Sequence, residues 1–291
     1  MTVLVFGRTG QVATALQQQA AASGLPLVAM GHAEIDVRDI QAMRDAVARS
    51  GATAIINAAA YTAVDRAESE RDAAFALNAE APGLMATVCA ERGLPFVQIS
   101  TDYVFDGSKP APYREDDPLA PLGVYGTSKA EGESRVLQAH PQAIVLRTAW
   151  VYFEQGSNFV RTMLRFGRER DEMRIVSDQR GNPTYAADIA EACLAIAGRG
   201  LQPAAQSGVF HYAGQGAATW FDFATAIFEE AALAGRRVPS KLVPIATSEY
   251  PTPAKRPANS QLDCGRLQRE FGIETKPWRG RLQACLANIA D

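Results

Sequence analysis

Cysteine and histidine are scarce in this chain, at four and three of 291 residues. Cys89, Cys193, Cys264 and Cys285 lie far apart, with no Cys-x-x-Cys pair and no histidine at ligand spacing, which excludes a zinc module or a disulfide scaffold. Reduced thiols in a cytoplasmic protein are expected. Neither sign of charge is in excess. Lys and Arg number 29 against 32 Asp and Glu, a net charge of −3, and no basic run borders an amphipathic stretch. That excludes the footprint of a nucleic-acid binder and argues against a membrane-surface protein. No apolar run approaches the length of a bilayer span. The N-terminus enters a strand pattern at once, so no signal peptide is expected. What remains is a small-molecule protein, monomer or homodimer.

The first half alternates short apolar runs with helical patterns. Val3 to Phe6, Leu25 to Met30, Ala54 to Asn57, Phe96 to Ile99 and Ala143 to Arg147 read as strands. Helical spacing covers Gln11 to Ala22, Ile40 to Val47, an alanine-rich stretch from about Ala73 to Arg92, and a segment beginning near Tyr125. Strands alternating with helices predict α/β architecture, a doubly wound parallel sheet covered on both faces. After Trp150 the pattern loosens into helices at Phe159 to Arg168, Asp188 to Ala197 and Thr219 to Ala234, with a proline-rich break from Pro251 to Pro257. Residues 1–150 are therefore expected to form a dinucleotide-binding domain, joined by later strands. Residues 151–291 read as a smaller, interleaved substrate-binding cap, with the substrate in the cleft between the two.

Gly7-Arg8-Thr9-Gly10-Gln11-Val12-Ala13 follows the first strand and opens the first helix. Glycines there permit a tight turn, and the helix N-terminus offers free N–H groups to a pyrophosphate. An acid at the end of the second strand would hold the ribose 2′-hydroxyl of NAD(H), but Met30-Gly31-His32 carries no carboxylate. Arg8 could meet a 2′-phosphate. The balance favours NADP(H), with NAD(H) also open. Asp36, next to Val37, either contacts the adenine amino group or caps the helix that starts at Ile40.

Tyr125 and Lys129 are four residues apart at the start of a helical stretch and share one face. A phenol titrates near 10, too high for ready proton exchange, and a nearby ammonium and nicotinamide would lower it. The same lysine could hold the nicotinamide ribose. Before the pair, Ser100-Thr101-Asp102-Tyr103-Val104-Phe105 follows a strand end, where Thr101 could give a second hydrogen bond to a carbonyl oxygen becoming an alkoxide. Arg256, in the proline-rich loop, could pair a diphosphate or a surface carboxylate. Trp220, Phe221 and Phe223 read as core.

Together Gly7-x-x-Gly10-Gln11-Val12, Asn57-Ala58-Ala59-Ala60-Tyr61-Thr62-Ala63-Val64-Asp65, Ser100 to Phe105, and Val124-Tyr125-Gly126-x-x-Lys129 resemble the extended short-chain dehydrogenase/reductase superfamily. Within it they resemble the dTDP-4-dehydrorhamnose reductases, as do Arg147 to Tyr152, Asn158-Phe159, Asp178 to Thr184 and Pro251 to Ser260. The resemblance implies hydride transfer to C4 of a nucleotide sugar, with Tyr125 as proton donor, Lys129 as its partner and Thr101 tuning the acid. It also implies that Asp102, Tyr103, Trp150 and Asn158 meet the sugar nucleotide, with Gln179 and Thr184 lining the nucleotide pocket. Asp36, Val37, Ala59, Ala60, Tyr61 and Thr62 would line the dinucleotide. Some members bridge a dimer through magnesium held by a glutamate on the first helix. Ala15 stands at that position, so no metal is expected.

Two other enzyme types share this fold and the Tyr/Lys pair, the 4,6-dehydratases and the epimerases. The resemblance puts adjacent Asp and Glu after the threonine in dehydratases, whereas Asp102 here precedes Tyr103. A non-catalytic regulatory subunit is a third possibility, and an intact Thr101, Tyr125 and Lys129 set argues against it.

Overall fold

Short apolar runs become parallel strands here because helices cover both of their faces. In the computed structural model, which describes residues 1–203 and 206–289, the first half runs β1 (Val3–Phe6), α1 (Gln11–Ser23), β2 (Leu27–Met30), α2 (Ile40–Ser50), β3 (Ala54–Asn57), α3 (Val64–Ala67), α4 (Arg71–Phe75), α5 (Ala81–Glu91), β4 (Phe96–Thr101), α6 (Val124–Ala139) and β5 (Ile144–Thr148). A π-turn over Ala76–Glu80 joins α4 and α5 into one helix. There follow β6 (Val151–Tyr152), α7 (Phe159–Glu169), β7 (Glu172–Val176), β8 (Arg180–Gly181), β9 (Thr184–Tyr185), α8 (Ala186–Gly198) and β10 (Gly208–His211). The chain closes with β11 (Ala218–Thr219), α9 (Trp220–Leu233), β12 (Lys241–Ile245), α10 (Gly265–Phe271) and α11 (Trp278–Ala287).

The main sheet has six strands in the order β10-β5-β4-β3-β1-β2, every pair parallel. Alternation along each strand divides the interior in two. Val3 and Val5 of β1 face a core shared with α1, α8, α9 and α11, while Leu4 and Phe6 face one closed by α2, α5 and α6. Residues beyond 150 supply β10, which pairs with β5 in the sheet, and three two-stranded ribbons: β7 with β12, β8 with β11, β6 with β9. The first core runs on into that region through Tyr152, Phe223 and Trp278.

The continuous helix Arg71–Glu91 has 21 residues, and an 18-residue window of it reaches a mean hydropathy of 1.2, enough in length and composition to cross a bilayer. The expectation of no such run overlooked it because Arg71, Asp72 and Glu80 interrupt the apolar sequence. Half of the span is buried, with Ala81, Met85 and Ala86 in the second core, as a packed core helix would be.

At β1 the strand order reverses, β2 lying on one side and β3 on the other. Beyond the carboxyl ends of β1 and β3 the two connections leave in opposite directions and open a crevice. The glycine turn follows β1, Ala58 to Thr62 follow β3, Thr101 ends β4 and Trp150 follows β5. Every motif singled out in the first half thus sits at one edge of the sheet.

Candidate active site

Gly7 has φ +111°, and a Cβ there would lie 2.9 Å from the backbone of Ala58 and Ala59. Only glycine lets the turn pass this close to the end of β3. Gly10 is the N-cap of α1 and brings no side-chain oxygen, so the first amides of the helix are left for an anion. The turn opens onto a cleft of about 590 Å³ whose walls include Gly7, Arg8, Gly10, Asp36, Val37, Ala59 and Ala60. A cradle closed by backbone and an uncapped helix end suit the diphosphate of a dinucleotide. Gln11, Val12, Tyr61 and Thr62 are not in these walls. Gln11 donates to the Val151 carbonyl at 3.4 Å and keeps a buried, unpartnered Oε1. Val12 packs against the core, and the Tyr61 hydroxyl donates to Glu70 at 2.6 Å.

At the far end of the cleft the charged groups are paired. The Arg8 guanidinium meets Glu34 at 2.5 Å, and Glu34 also accepts the Gly31 N–H at 2.8 Å. Asp36 does not cap α2. Asp39 does so, accepting the N–H groups of Gln41 and Ala42 at 2.8 and 3.1 Å. Asp36 is bound instead to Arg38, at 2.9 and 2.8 Å, and that guanidinium holds its carboxyl down to about 2.

Tyr125 and Lys129 lie on the first turns of α6, and Thr101 closes β4 beside them. Gly126 makes the approach possible, since a Cβ there would lie 2.1 Å from the Tyr103 carbonyl oxygen. The Tyr125 ring sits edge-on to Tyr103, centroids 5.5 Å apart. Burial pushes the Tyr125 phenol up to about 12, and the Thr101 hydroxyl pulls it back in part. The expected lowering by Lys129 is not seen in the protein alone. Lys129 Nζ is directed at the Ile99 carbonyl, 2.7 Å away, and burial dominates the phenol's surroundings. Tyr125 is therefore protonated at neutral pH, the state a proton donor needs. Thr101 donates to Asp102 Oδ1 at 3.0 Å, while Oδ2 is buried without a partner. Burial pushes the Asp102 carboxyl up to about 6.

Behind Lys129 lies a buried charge network. Glu133, one turn further along α6, accepts from Arg147 Nε and a terminal guanidinium nitrogen at 2.9 and 2.6 Å, and from the Ser100 hydroxyl at 2.5 Å. Asn78, in the π-turn, ties this helix to the segment after β3: it accepts the Tyr61 N–H, and donates to the Tyr61 carbonyl and the Ser128 hydroxyl. π-turns inside α-helices recur where one side chain must be re-aimed.

A second cleft, of about 720 Å³, lies between α7, α9 and the β7–β12 ribbon, lined by Phe159, Phe166, Gln179, Trp220, Thr252 and Arg256 among others. Trp150 reaches it through Trp220, the two indoles stacked at 3.6 Å and 3° from parallel. Trp150 has φ +45°, the one positive value at a non-glycine among the described residues. Arg256 is held by Asp65 at 2.9 Å, so the diphosphate candidate begins in a carboxylate's grip. Asn158 does not join the cleft: it caps α7, accepting the Arg161 N–H and donating to the Phe153 and Gln155 carbonyls. Thr184 is buried, bonded to the Asn182 carbonyl and the Gly214 N–H.

Comparison with known proteins agrees with this geometry. The RmlD substrate binding domain model matches residues 1–290. A dTDP-4-dehydrorhamnose reductase of Sinorhizobium fredii is 43% identical over 281 residues, 96% of this chain and 94% of the relative. The chain belongs to the dTDP-4-dehydrorhamnose reductase family. Among solved structures, a dTDP-4-dehydrorhamnose reductase of Clostridium acetobutylicum superposes with TM-score 0.91 at 35% identity, over 99% of both chains. One of Bacillus anthracis, solved in complex with NADP, does so with TM-score 0.90 at 34% identity, again over 99% of both.

Sequence reading of this dTDP-4-dehydrorhamnose reductase family member missed Glu133, Arg147, Asn78, Glu34 and the cleft role of Trp220. Glu133 was detectable, since it follows Lys129 at helical spacing on the same face. Arg147 was too, as a charge in an otherwise apolar strand needs a partner. Phe223 is core as expected, whereas Trp220 both packs on the core and lines the second cleft, its Nε1 donating to Gln179 at 3.1 Å.

Proposed function

We propose that the protein reduces the 4-keto group of dTDP-4-dehydro-L-rhamnose to give dTDP-L-rhamnose, using NADPH in preference to NADH. The observation that carries this reading is the gathering of Thr101, a protonated Tyr125 and Lys129 at the end of β4, on the same sheet edge as the glycine turn and uncapped helix end of α1. When bound, the dinucleotide supplies a hydride. Gly7, Gly10 and the first amides of α1 would hold its diphosphate, with Ala59, Ala60 and Arg8 along the same cleft.

The chain's own residues supply the proton. As C4 receives the hydride, Tyr125 hands its phenolic hydrogen to the C4 oxygen, so the ketone gains two electrons and two hydrogens. Thr101 orients that oxygen through a second hydrogen bond. Lys129 favours the phenolate left behind, and Glu133 keeps the ammonium charged in a buried position. Asp102 receives sugar hydroxyls on its free Oδ2. The second cleft takes the nucleoside diphosphate, with Arg256 exchanging Asp65 for phosphate oxygens and aromatic walls stacking on the base. Trp150 and Trp220 form the wall between base and sugar.

The test follows consumption of NADPH and of NADH separately by the purified protein with dTDP-4-dehydro-L-rhamnose. Both are expected to be consumed, NADPH with the higher specificity constant, and dTDP-L-rhamnose to accumulate. No turnover with either would overturn the reaction assigned. A clear NADH preference would overturn the cofactor order alone.

A further inference from the structure

The helix that carries Tyr125 begins without the residues that usually start one. Gly123, its N-cap, brings no side-chain oxygen, no acid stands in the first turn, and Gly126 weakens that turn further. The run before it, Pro118-Leu119-Ala120-Pro121-Leu122, holds no Ser, Thr, Asp or Asn. Thr127 closes on the Gly123 carbonyl through its N–H at 3.0 Å and its hydroxyl at 2.9 Å. The N–H groups before Thr127 have no acceptor within the helix. One acceptor comes from another element. Glu68, directly after α3, takes the Val124 N–H on Oε1 at 2.8 Å. Gly123 leaves the space for it, since a Cβ there would lie 2.5 Å from that oxygen. The backbone that delivers Glu68 is held on both sides. Before it, Asp65 accepts the Ala254 N–H at 3.2 Å and Arg256 at 2.9 Å. After it, Glu70 accepts the Tyr61 hydroxyl at 2.6 Å and Arg66 Nε at 3.0 Å. Asn78 ties α6 to the same segment only through Ser128, beyond the first turn.

We propose that Glu68 is a positioning residue for the reduction, a cap borrowed from the segment after β3 that orders the first turn of α6 and so fixes the Tyr125 phenol. This rests on the reading of Tyr125 as proton donor. Tyr125 is the second residue of the helix, inside the turn that frays when a cap is lost. Lys129 lies one turn further, buried and bonded to the Ile99 carbonyl at 2.7 Å. Fraying therefore displaces the donor and leaves its partner in place. A carboxylate also suits the positive end of a helix. Glu68 is in the walls of neither cleft, so its loss reaches turnover without touching dinucleotide binding. An acid at position 123 could do the same work, because Gly123 already has the extended backbone of a capping residue, φ −149° and ψ 178°.

Steady-state turnover of dTDP-4-dehydro-L-rhamnose and calorimetric NADPH binding test this on the full-length protein. Glu68 is exposed, so its variants are expected to fold. Glu68→Ala is expected to lower kcat by about five- to thirtyfold, the reach of a lost cap, with NADPH affinity within about twofold. Glu68→Gln keeps an acceptor oxygen and is expected to lose less. In Glu68→Ala/Gly123→Asp the vacated space admits a local cap, and kcat is expected to return to within about twofold of the unaltered protein. Unchanged kcat in Glu68→Ala, or a loss that Gly123→Asp does not recover, would overturn the positioning role and leave Tyr125 standing as the donor. An equal loss of NADPH affinity would also overturn it, placing Glu68 in service of the cofactor cleft. Undiminished turnover in Tyr125→Phe would overturn both readings.

Discussion

Lys129 is 4% exposed, and burial pushes its ammonium down to about 8 while the Glu133 carboxylate one turn away opposes the shift. Arg147 and Ser100 satisfy both oxygens of the buried Glu133. A lysine so placed is charged below about pH 8 and loses its proton as pH rises through that value. The specificity constant for reduction, which reports groups of the free enzyme, is therefore expected to fall above about pH 8. A pH–rate profile that stays flat well into the alkaline range would contradict the role given to Lys129. Among single residues, those whose chemistry is rare in their surroundings were legible in the sequence: Tyr125 and Lys129 at helical spacing, Thr101 at a strand end, the glycines of the first turn. Glu34 was not, because its position depends on how the loop after β2 folds back, and no spacing rule fixes that.

α6 carries Tyr125, Lys129 and the buried Glu133 on one face, so the proposed chemistry depends on the placement of this helix. Two glycines set that placement. A Cβ at Gly132 would lie 2.0 Å from the Asn78 carbonyl oxygen, and one at Gly126 2.1 Å from that of Tyr103. Gly126→Ala must push α6 away from the residues that follow β4, with no flexible side chain to absorb the clash. We expect it to cost about 1–3 kcal/mol of stability in urea denaturation, the usual range for overpacking, and to lower turnover more than cofactor affinity. Unaltered turnover in a folded Gly126→Ala protein would show that the approach of α6 to Tyr103 does not matter. Helices and sheet strands with strong patterns were readable in advance to within a few residues. The π-turn was not, since Ala76 to Glu80 carry ordinary helical residues, and nothing in their spacing marks Asn78 as bonded to Tyr61 and Ser128. Nor were β7 and β12, whose charged and proline residues, such as Arg174 and Pro244, hide a ribbon held by its own pairing and the packing of one face.

Across the whole molecule, the parallel sheet puts the glycine turn and its cleft at the ends of β1 to β3 and the Thr101, Tyr125 and Lys129 set at the ends of β4 and β5, with the Asn78 carboxamide bonded to both Tyr61 and Ser128. The second half adds one strand to the sheet, three ribbons and the helices that wall the second cleft. Its architecture was the least legible part, because two-stranded ribbons leave too few residues for a period to show. The two ends of the sheet edge are separate enough that chemistry and cofactor binding can be uncoupled by one atom. The most direct measurement compares Tyr125→Phe with the unaltered protein in turnover of dTDP-4-dehydro-L-rhamnose and in NADPH affinity. Turnover is expected to fall by about a hundred- to ten-thousandfold, the range for loss of a general acid, with affinity unchanged. Turnover near that of the unaltered protein would contradict the assignment of the phenol as proton donor.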